Sequence, residues 1–210
     1  MPRAPRAEMT IALIDYGAGN LTSVIKGLSA VGADVRTVDV VSGLTGADAI
    51  VIPGVGHFNA TASLDGAWRG AVREAIDRDV PLLGICLGLQ WLFEGSEEAP
   101  DVPGIGLMAG RCFRLTGDVK VPHVGWNTLA TEGRPSRLLA GIAPEASAYF
   151  THSYAAPVGP ETVATTTHGV PFASAVERGR VFGVQFHPEK SGNTGLRILE
   201  NFVRIAGANR

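Results

Sequence analysis

The sequence predicts an α/β protein: an open, mostly parallel twisted sheet with helices on both faces and added antiparallel strands in the second half. Three observations carry this. Up to about residue 95, short apolar runs alternate with stretches of helical period. Those runs are continuously apolar, as strands buried on both faces are. Beyond them come short strand-like segments separated by Gly and Pro turns.

Taken in order, MTIALIDYG reads as a buried strand stopped by Gly17 and Gly19. NLTSVIKGLSAVG reads as a helix with Asn20 as N-cap and Leu21, Val24, Ile25 and Leu28 on one face. VRTVDV is a second strand, and AIVIPG a third that runs into the Pro53-Gly54-Val55-Gly56 loop. LDGAWRGAVREAID places Leu64, Trp68, Val72 and Ile76 at helical steps of four. PLLGIC is the fourth strand and LGLQWLFEG the helix after it. The later segments GIGLMAGRCFRL, VPHVGWNTL, SAYFTHSYAA, ETVATTTHG, PFASAVERG and RVFGVQFHPE read as short strands. TGLRILENFVRIAG closes the chain as a helix with a stripe of Leu196, Leu199, Phe202, Val203 and Ala206. No repeat or linker divides the chain. Residues 1–8 are expected to be a disordered extension and 9–210 one domain.

The composition excludes several classes. The chain has 210 residues, 45% of them hydrophobic. A domain of that length buries roughly 70% of its unfolded surface, so a real core is available. A net charge of −2 with no basic run offers nothing to nucleic acid or an anionic membrane. Two cysteines, Cys86 and Cys112, make no disulfide framework. No apolar run approaches a membrane span, and the N-terminus is unlike a signal sequence. A cytoplasmic location is expected. No CxxC or HExxH pattern suggests zinc, and GAGNLT lacks the third glycine of a dinucleotide loop. No metal and no cofactor are expected.

The chemistry concentrates in Gly84-Ile85-Cys86-Leu87-Gly88, a Gly-x-Cys-x-Gly pentapeptide between strand and helix. That is the setting of a nucleophile elbow, where a sharp turn lifts the side chain above the sheet and the Leu87 N–H faces a developing oxyanion. A packed core cysteine remains the alternative on this stretch alone. Of the five histidines, His187 stands out at the end of the apolar strand VFGVQFHPE. Glu189 follows two residues later, where its carboxylate can orient the imidazole. Cys86, His187 and Glu189 thus form a nucleophile, base and orienter, in the chain order of triads built on such sheets. Both ends fall at strand C-termini, where open α/β sheets place their sites. Cys112, in RCFRL, has no nearby partner and reads as structural.

These motifs resemble the class I (triad) glutamine amidotransferases. GICLGLQ is similar to their nucleophile motif, VQFHPE to their His-Glu motif and VIPGVGHF to their oxyanion strand. The resemblance implies that fold, and hydrolysis of L-glutamine through a cysteinyl thioester with ammonia delivered to a synthase partner. It also implies an oxyanion hole at Gly54, Val55 and Leu87, and substrate contacts at Gly54, Gly56 and Gln90. Finer motifs, DYGAGNL, KVPHVGWN, YFTHSY and HPEKSG, are similar to the branch serving imidazole glycerol phosphate synthases. In that branch the partner is a (βα)8-barrel cyclase, forming a heterodimer, which makes imidazole glycerol phosphate and AICAR from PRFAR in histidine biosynthesis. The resemblance places Asn20, Trp126, Tyr149 and Lys190 at the partner interface or ammonia gate. Val124 and Thr151 depart from the branch, which more often has methionine and an aliphatic there. Two other readings stay open: the glutaminase of a different synthase, such as anthranilate or pyridoxal phosphate synthase, and a non-catalytic relative. The KVPHVGWN octet argues against the first and the complete Cys-His-Glu set against the second.

Overall fold

The computed structural model describes residues 9–131 and 133–208, so the expected disorder of residues 1–8 lies outside the described residues. The first half alternates as expected. Strands β1 (Thr10–Ile14), β2 (Asp34–Val38), β3 (Ala49–Ile52) and β4 (Leu82–Ile85) are interleaved with helices α1 (Leu21–Ala30) and α2 (Gly66–Asp77). Helix α3 (Leu87–Leu92) follows β4 directly. The later segments are β5 (Gly95–Ser96), β6 (Ala99–Pro103), β7 (Arg111–Arg114), β8 (His123–Thr128), β9 (Ala130–Thr131), β10 (Ser147–His152) and β11 (Tyr154–Ala155). Then come β12 (Thr162–His168), β13 (Val170–Arg178), β14 (Val181–Val184) and helix α4 (Gly192–Gly207).

The main sheet has the order β2-β1-β3-β4-β14-β13-β12-β9. The strands from β2 through β14 pair in parallel, and β13, β12 and β9 extend the sheet antiparallel. Residues on the central strands alternate between two cores. Ile11, Leu13, Val51, Leu83, Ile85 and Phe182 pack toward α1 and α4. Ala12, Ile14, Ile50, Ile52, Leu82 and Val181 pack toward α2 and α3. Burial on both faces explains the unbroken apolar runs of the sequence.

Three element readings need correction, the first being GIGLMAGRCFRL, which is strand only over Arg111–Arg114 and is preceded by two strands, β5 and β6, that the sequence did not suggest. Helix α2 starts at Gly66, not at Leu64: Asp65 caps it, accepting from the N–H groups of Ala67 and Trp68. Capping by a carboxylate satisfies first-turn donors that Leu64 cannot; Leu64 is buried at the end of the preceding 3-10 turn instead. The buried stripe of α4 is also rotated. Gly195, Ile198, Leu199, Phe202, Ile205 and Ala206 face inward, while Leu196 is exposed. Gly195 sets this phase, because a Cβ there would lie 1.8 Å from the Pro188 carbonyl oxygen.

The site rests on the contact between β4 and β14, whose register sets Ile85 beside Val184 and Gly84 beside Gly183. Cys86 and the segment leading to His187 therefore leave the sheet side by side. Strands β8 and β10 form a separate antiparallel pair, and β11, β7, β5 and β6 a small sheet.

Candidate active site

Cys86 adopts φ 53° and ψ −103°. A non-glycine residue there costs on the order of 1–3 kcal/mol and persists only where surroundings over-determine it. Here they do. The Cys86 N–H donates to the Val184 carbonyl at 2.8 Å. Helix α3 lies against the sheet because the positions between them are glycine. A Cβ on Gly88 would stand 1.9 Å from the Ile52 carbonyl oxygen, one on Gly84 2.7 Å from Gly88 backbone, and one on Gly183 2.7 Å from Leu89. The glycines around the cysteine thus serve close packing.

His187 is buried at the start of the Pro188–Lys190 turn, and its Nδ1–H donates to Glu189 Oε1 at 2.8 Å. That bond fixes the tautomer and leaves Nε2 without a hydrogen-bond partner. Burial opposes the imidazolium, but the Cys86 sulfur and then the Glu189 carboxylate outweigh it and push the pKa of His187 up to about 10. Ser191, buried beneath, anchors the turn: its hydroxyl donates to the His187 carbonyl at 2.6 Å and accepts from the Tyr149 N–H at 2.9 Å.

The Leu87 N–H is already engaged, donating to the Gly54 carbonyl at 3.3 Å. Gly54 has no room for a side chain, since a Cβ would lie 2.1 Å from the Tyr16 hydroxyl. That hydroxyl is buried without a hydrogen-bond partner, and burial, with Cys86 nearby, raises its pKa. Gly56 sits at φ +108° with open space around its Cα.

A cleft of about 260 Å³ opens over the sulfur. Gly56, Cys86, Leu87, Gln90, Glu98 and Tyr154 are among the residues lining it. Among the described residues no group of three or more His, Cys, Asp or Glu is arranged to hold a metal ion.

A glutamine amidotransferase class-I family model matches residues 12–206. The chain belongs to the class-I glutamine amidotransferases. Its similar relatives include imidazole glycerol phosphate synthase subunit HisH of Deinococcus radiodurans, 49% identical over 95% of both chains. The HisH subunits of Halobacterium salinarum (50% identical, 92% of both chains) and Thermococcus kodakarensis (48%, 93% of this chain and 100% of that one) are others. At that identity and coverage the chain groups with the HisH branch of the family. Among solved structures, PurLQS from Thermotoga maritima superposes with a TM-score of 0.76 at 16% identity, covering 94% of this chain and 99% of that one. A putative GMP synthase protein from Thermoplasma acidophilum gives 0.70 at 21%, covering 98% and 97%. These two share the fold.

The structure brings the amidotransferase candidates into two groups. Gly56, Cys86, Leu87 and Gln90 line the cleft, Gly54 joins them through its carbonyl on the Leu87 N–H, His187 pairs with Glu189, and Val55 is 37% exposed. Trp126, Tyr149 and Lys190 form a surface cluster: the Trp126 and Tyr149 rings meet edge-on at 6.2 Å, and Lys190 Nζ lies 6.0 Å from the Tyr149 ring. Trp126 is 59% and Val124 57% exposed on β8. Asn20 has its own local role, accepting from the Ser23 N–H as the cap of α1. Sequence reasoning did not assign Glu98, Tyr16 or Gln185 to the site. A glutamate in a polar loop carries no local signal; only the fold carries Glu98 to the cleft, where it also accepts from the Phe58 N–H. Cys112 is fully buried, its thiol pKa raised by burial, as suits a packed residue.

Proposed function

We propose that this chain is the glutaminase of an imidazole glycerol phosphate synthase, releasing ammonia from L-glutamine through a Cys86 thioester. The arrangement of Cys86, His187 and Glu189 is the observation that carries the reading. His187 Nε2 takes the thiol proton, and the sulfur attacks the side-chain amide carbon as the carbonyl π pair moves onto oxygen. The resulting imidazolium, held by Glu189, protonates the departing nitrogen, and ammonia leaves as the thioester forms. His187 then takes a proton from water, which attacks the thioester; glutamate departs and the thiol is restored. Glu189, bonded to Nδ1, favours the imidazolium that carries the proton to the departing nitrogen. Glu98 supplies a carboxylate within the cleft for the α-ammonium of the substrate.

The oxyanion needs two donors, Leu87 N–H and one from the Pro53–Gly56 loop. With the Gly54 carbonyl on Leu87 N–H, the hole is filled by the loop's own oxygen. The Val55 N–H belongs to the same peptide and points the opposite way. Rotating that single peptide withdraws the carbonyl and supplies the second donor. This supports a glutaminase that is silent until a partner turns the loop. The partner is a (βα)8-barrel cyclase docking over Trp126, Tyr149 and Lys190, with Asn20 beside the gate.

A glutamine-analogue chloroketone should label Cys86 and leave Cys112 untouched. In the complex, Cys86→Ala should abolish glutamine-dependent synthesis and keep synthesis from ammonium salts. An adduct on Cys112, or loss of the ammonia-dependent reaction, would refute the assignment.

A further inference from the structure

Gln185 lies between the end of β14 and His187, completely buried. Its Nε2 donates to Cys86 Sγ at 3.6 Å. The sulfur's own S–H makes a weak contact toward the Thr151 carbonyl at 4.0 Å.

The orientation of the Gln185 amide follows from its surroundings. The Tyr154 carbonyl can only accept, and Gln90 Nε2 donates to it at 2.8 Å. The same Gln90 nitrogen donates to Gln185 Oε1 at 3.3 Å, which turns Gln185 Nε2 to the sulfur. Both Nε2 protons of Gln90 are thereby committed, and its Oε1 is the atom left for a ligand. The Tyr154 carbonyl also accepts from His152 Nδ1–H at 2.9 Å, so His152 Nε2 is an acceptor. It accepts a hydrogen bond from His123 Nδ1–H at 3.2 Å. His123 Nε2 in turn accepts from Asn127 Nδ2 at 3.2 Å, and that nitrogen also donates to the Thr167 carbonyl at 3.0 Å. Every polarity in the chain is dictated by the one before it. The series runs from β8, next to exposed Trp126, to the nucleophile.

We propose that Gln185 is a positioning residue for Cys86, donating to its sulfur in an orientation imposed by the Gln90–Tyr154–His152–His123–Asn127 chain. The inference rests on Cys86 being the nucleophile. An N–H aimed at the sulfur favours the thiolate over the thiol and holds the side chain toward the cleft. A hydrogen bond to a charged group contributes more than one between neutral groups, so its loss is visible in the thiolate fraction.

The test is the pH profile of Cys86 alkylation by iodoacetamide in the full-length chain, read by peptide mapping. Gln185→Met removes the donor at similar volume. Gln185→Glu keeps an acceptor for Gln90 and replaces the donor with charge. Each variant should shift the profile to higher pH, with about three- to tenfold less thiolate at neutral pH for Met and a larger loss for Glu. In the complex, kcat for glutamine should fall by a similar factor while KM stays within about twofold. An unmoved profile in a folded variant, with or without a lower melting temperature, would overturn the proposal; if Gln185→Met fails to fold, Gln185→Glu decides. If the wild-type complex itself does not hydrolyse glutamine, the proposed function falls, whereas the alkylation profile still judges Gln185.

Discussion

Two short segments of this chain place a residue between glycines, Gly-x-Cys-x-Gly at the elbow and Gly-Val-Gly in the facing loop, and they do so for different reasons. At the elbow the glycines remove bulk. A Cβ on Gly88 would press into the Ile52 carbonyl, and one on Gly84 into Gly88. Packing of α3 on β4 and β14 then holds Cys86 in its strained conformation. In the loop, Gly56 is left-handed and meets nothing, so its glycine is required by conformation and its surroundings leave it room. Gly54 is crowded by Tyr16, and its carbonyl accepts from the Leu87 N–H. The same composition therefore builds a fixed turn at Cys86 and, facing it, a loop with room to move.

The largest expected effect strikes the fixed region. Gly88→Ala should cost about 3 kcal/mol or more through overpacking against backbone, lowering Tm by on the order of 10 °C. Gly56→Ala should cost only about 1–2 kcal/mol, from its φ. Scanning calorimetry of the two variants breaks the comparison if they melt together.

Next comes the loop. Losing one oxyanion donor typically costs 10²–10³ in rate. The isolated chain should bind glutamine but hydrolyse it at least about a hundredfold more slowly than the complex with substrate-loaded cyclase. Steady-state glutaminase assays with and without that partner check this, and full activity in isolation would mean that the hole is already formed.

A pH effect should separate the histidines. Burial pushes His123 down to about 4, and burial pushes His152 down to about 3 against the bond to Tyr154. An unfolded histidine titrates near 6.5, so their share of stability is complete above about pH 6.5 and is lost as pH falls toward 4 and 3. His187 behaves oppositely: its share is complete below about pH 6.5 and is lost as pH rises toward 10. Urea midpoints should therefore fall on both sides of about pH 6.5. His123→Asn should flatten the decline between about pH 6.5 and 5, above the range in which ordinary carboxylates titrate.

The smallest effect belongs to Lys190, exposed beside the Tyr149 ring. An exposed cation–π contact contributes roughly 0.5–1 kcal/mol. Lys190→Ala should leave Tm nearly unchanged while raising the ratio of glutamate formed to synthase product. An unchanged ratio with normal partner affinity would make it a solvated charge.

Much of this was legible in the chain itself. Unbroken apolar runs marked β1, β3 and β4 as central strands, Asn20 marked the start of α1, Gly-x-Cys-x-Gly marked the tight turn at Cys86, and His-Pro-Glu marked the turn that pairs His187 with Glu189, because each is a local demand of backbone or chemistry. The tertiary structure alone decided the rest. It set the phase of α4 through contact of Gly195 with Pro188, brought Glu98 to the cleft, and put the Gly54 carbonyl on Leu87. It also aligned Gln185 with Cys86, 99 residues away, and Gln90 with Tyr154, 64 away. A hydrogen bond across such distances leaves no period and no spacing in the sequence. It exists because packing brings the ends of β4 and β14 together in one register and lays β11 beside helix α3, and both are properties of the packed fold.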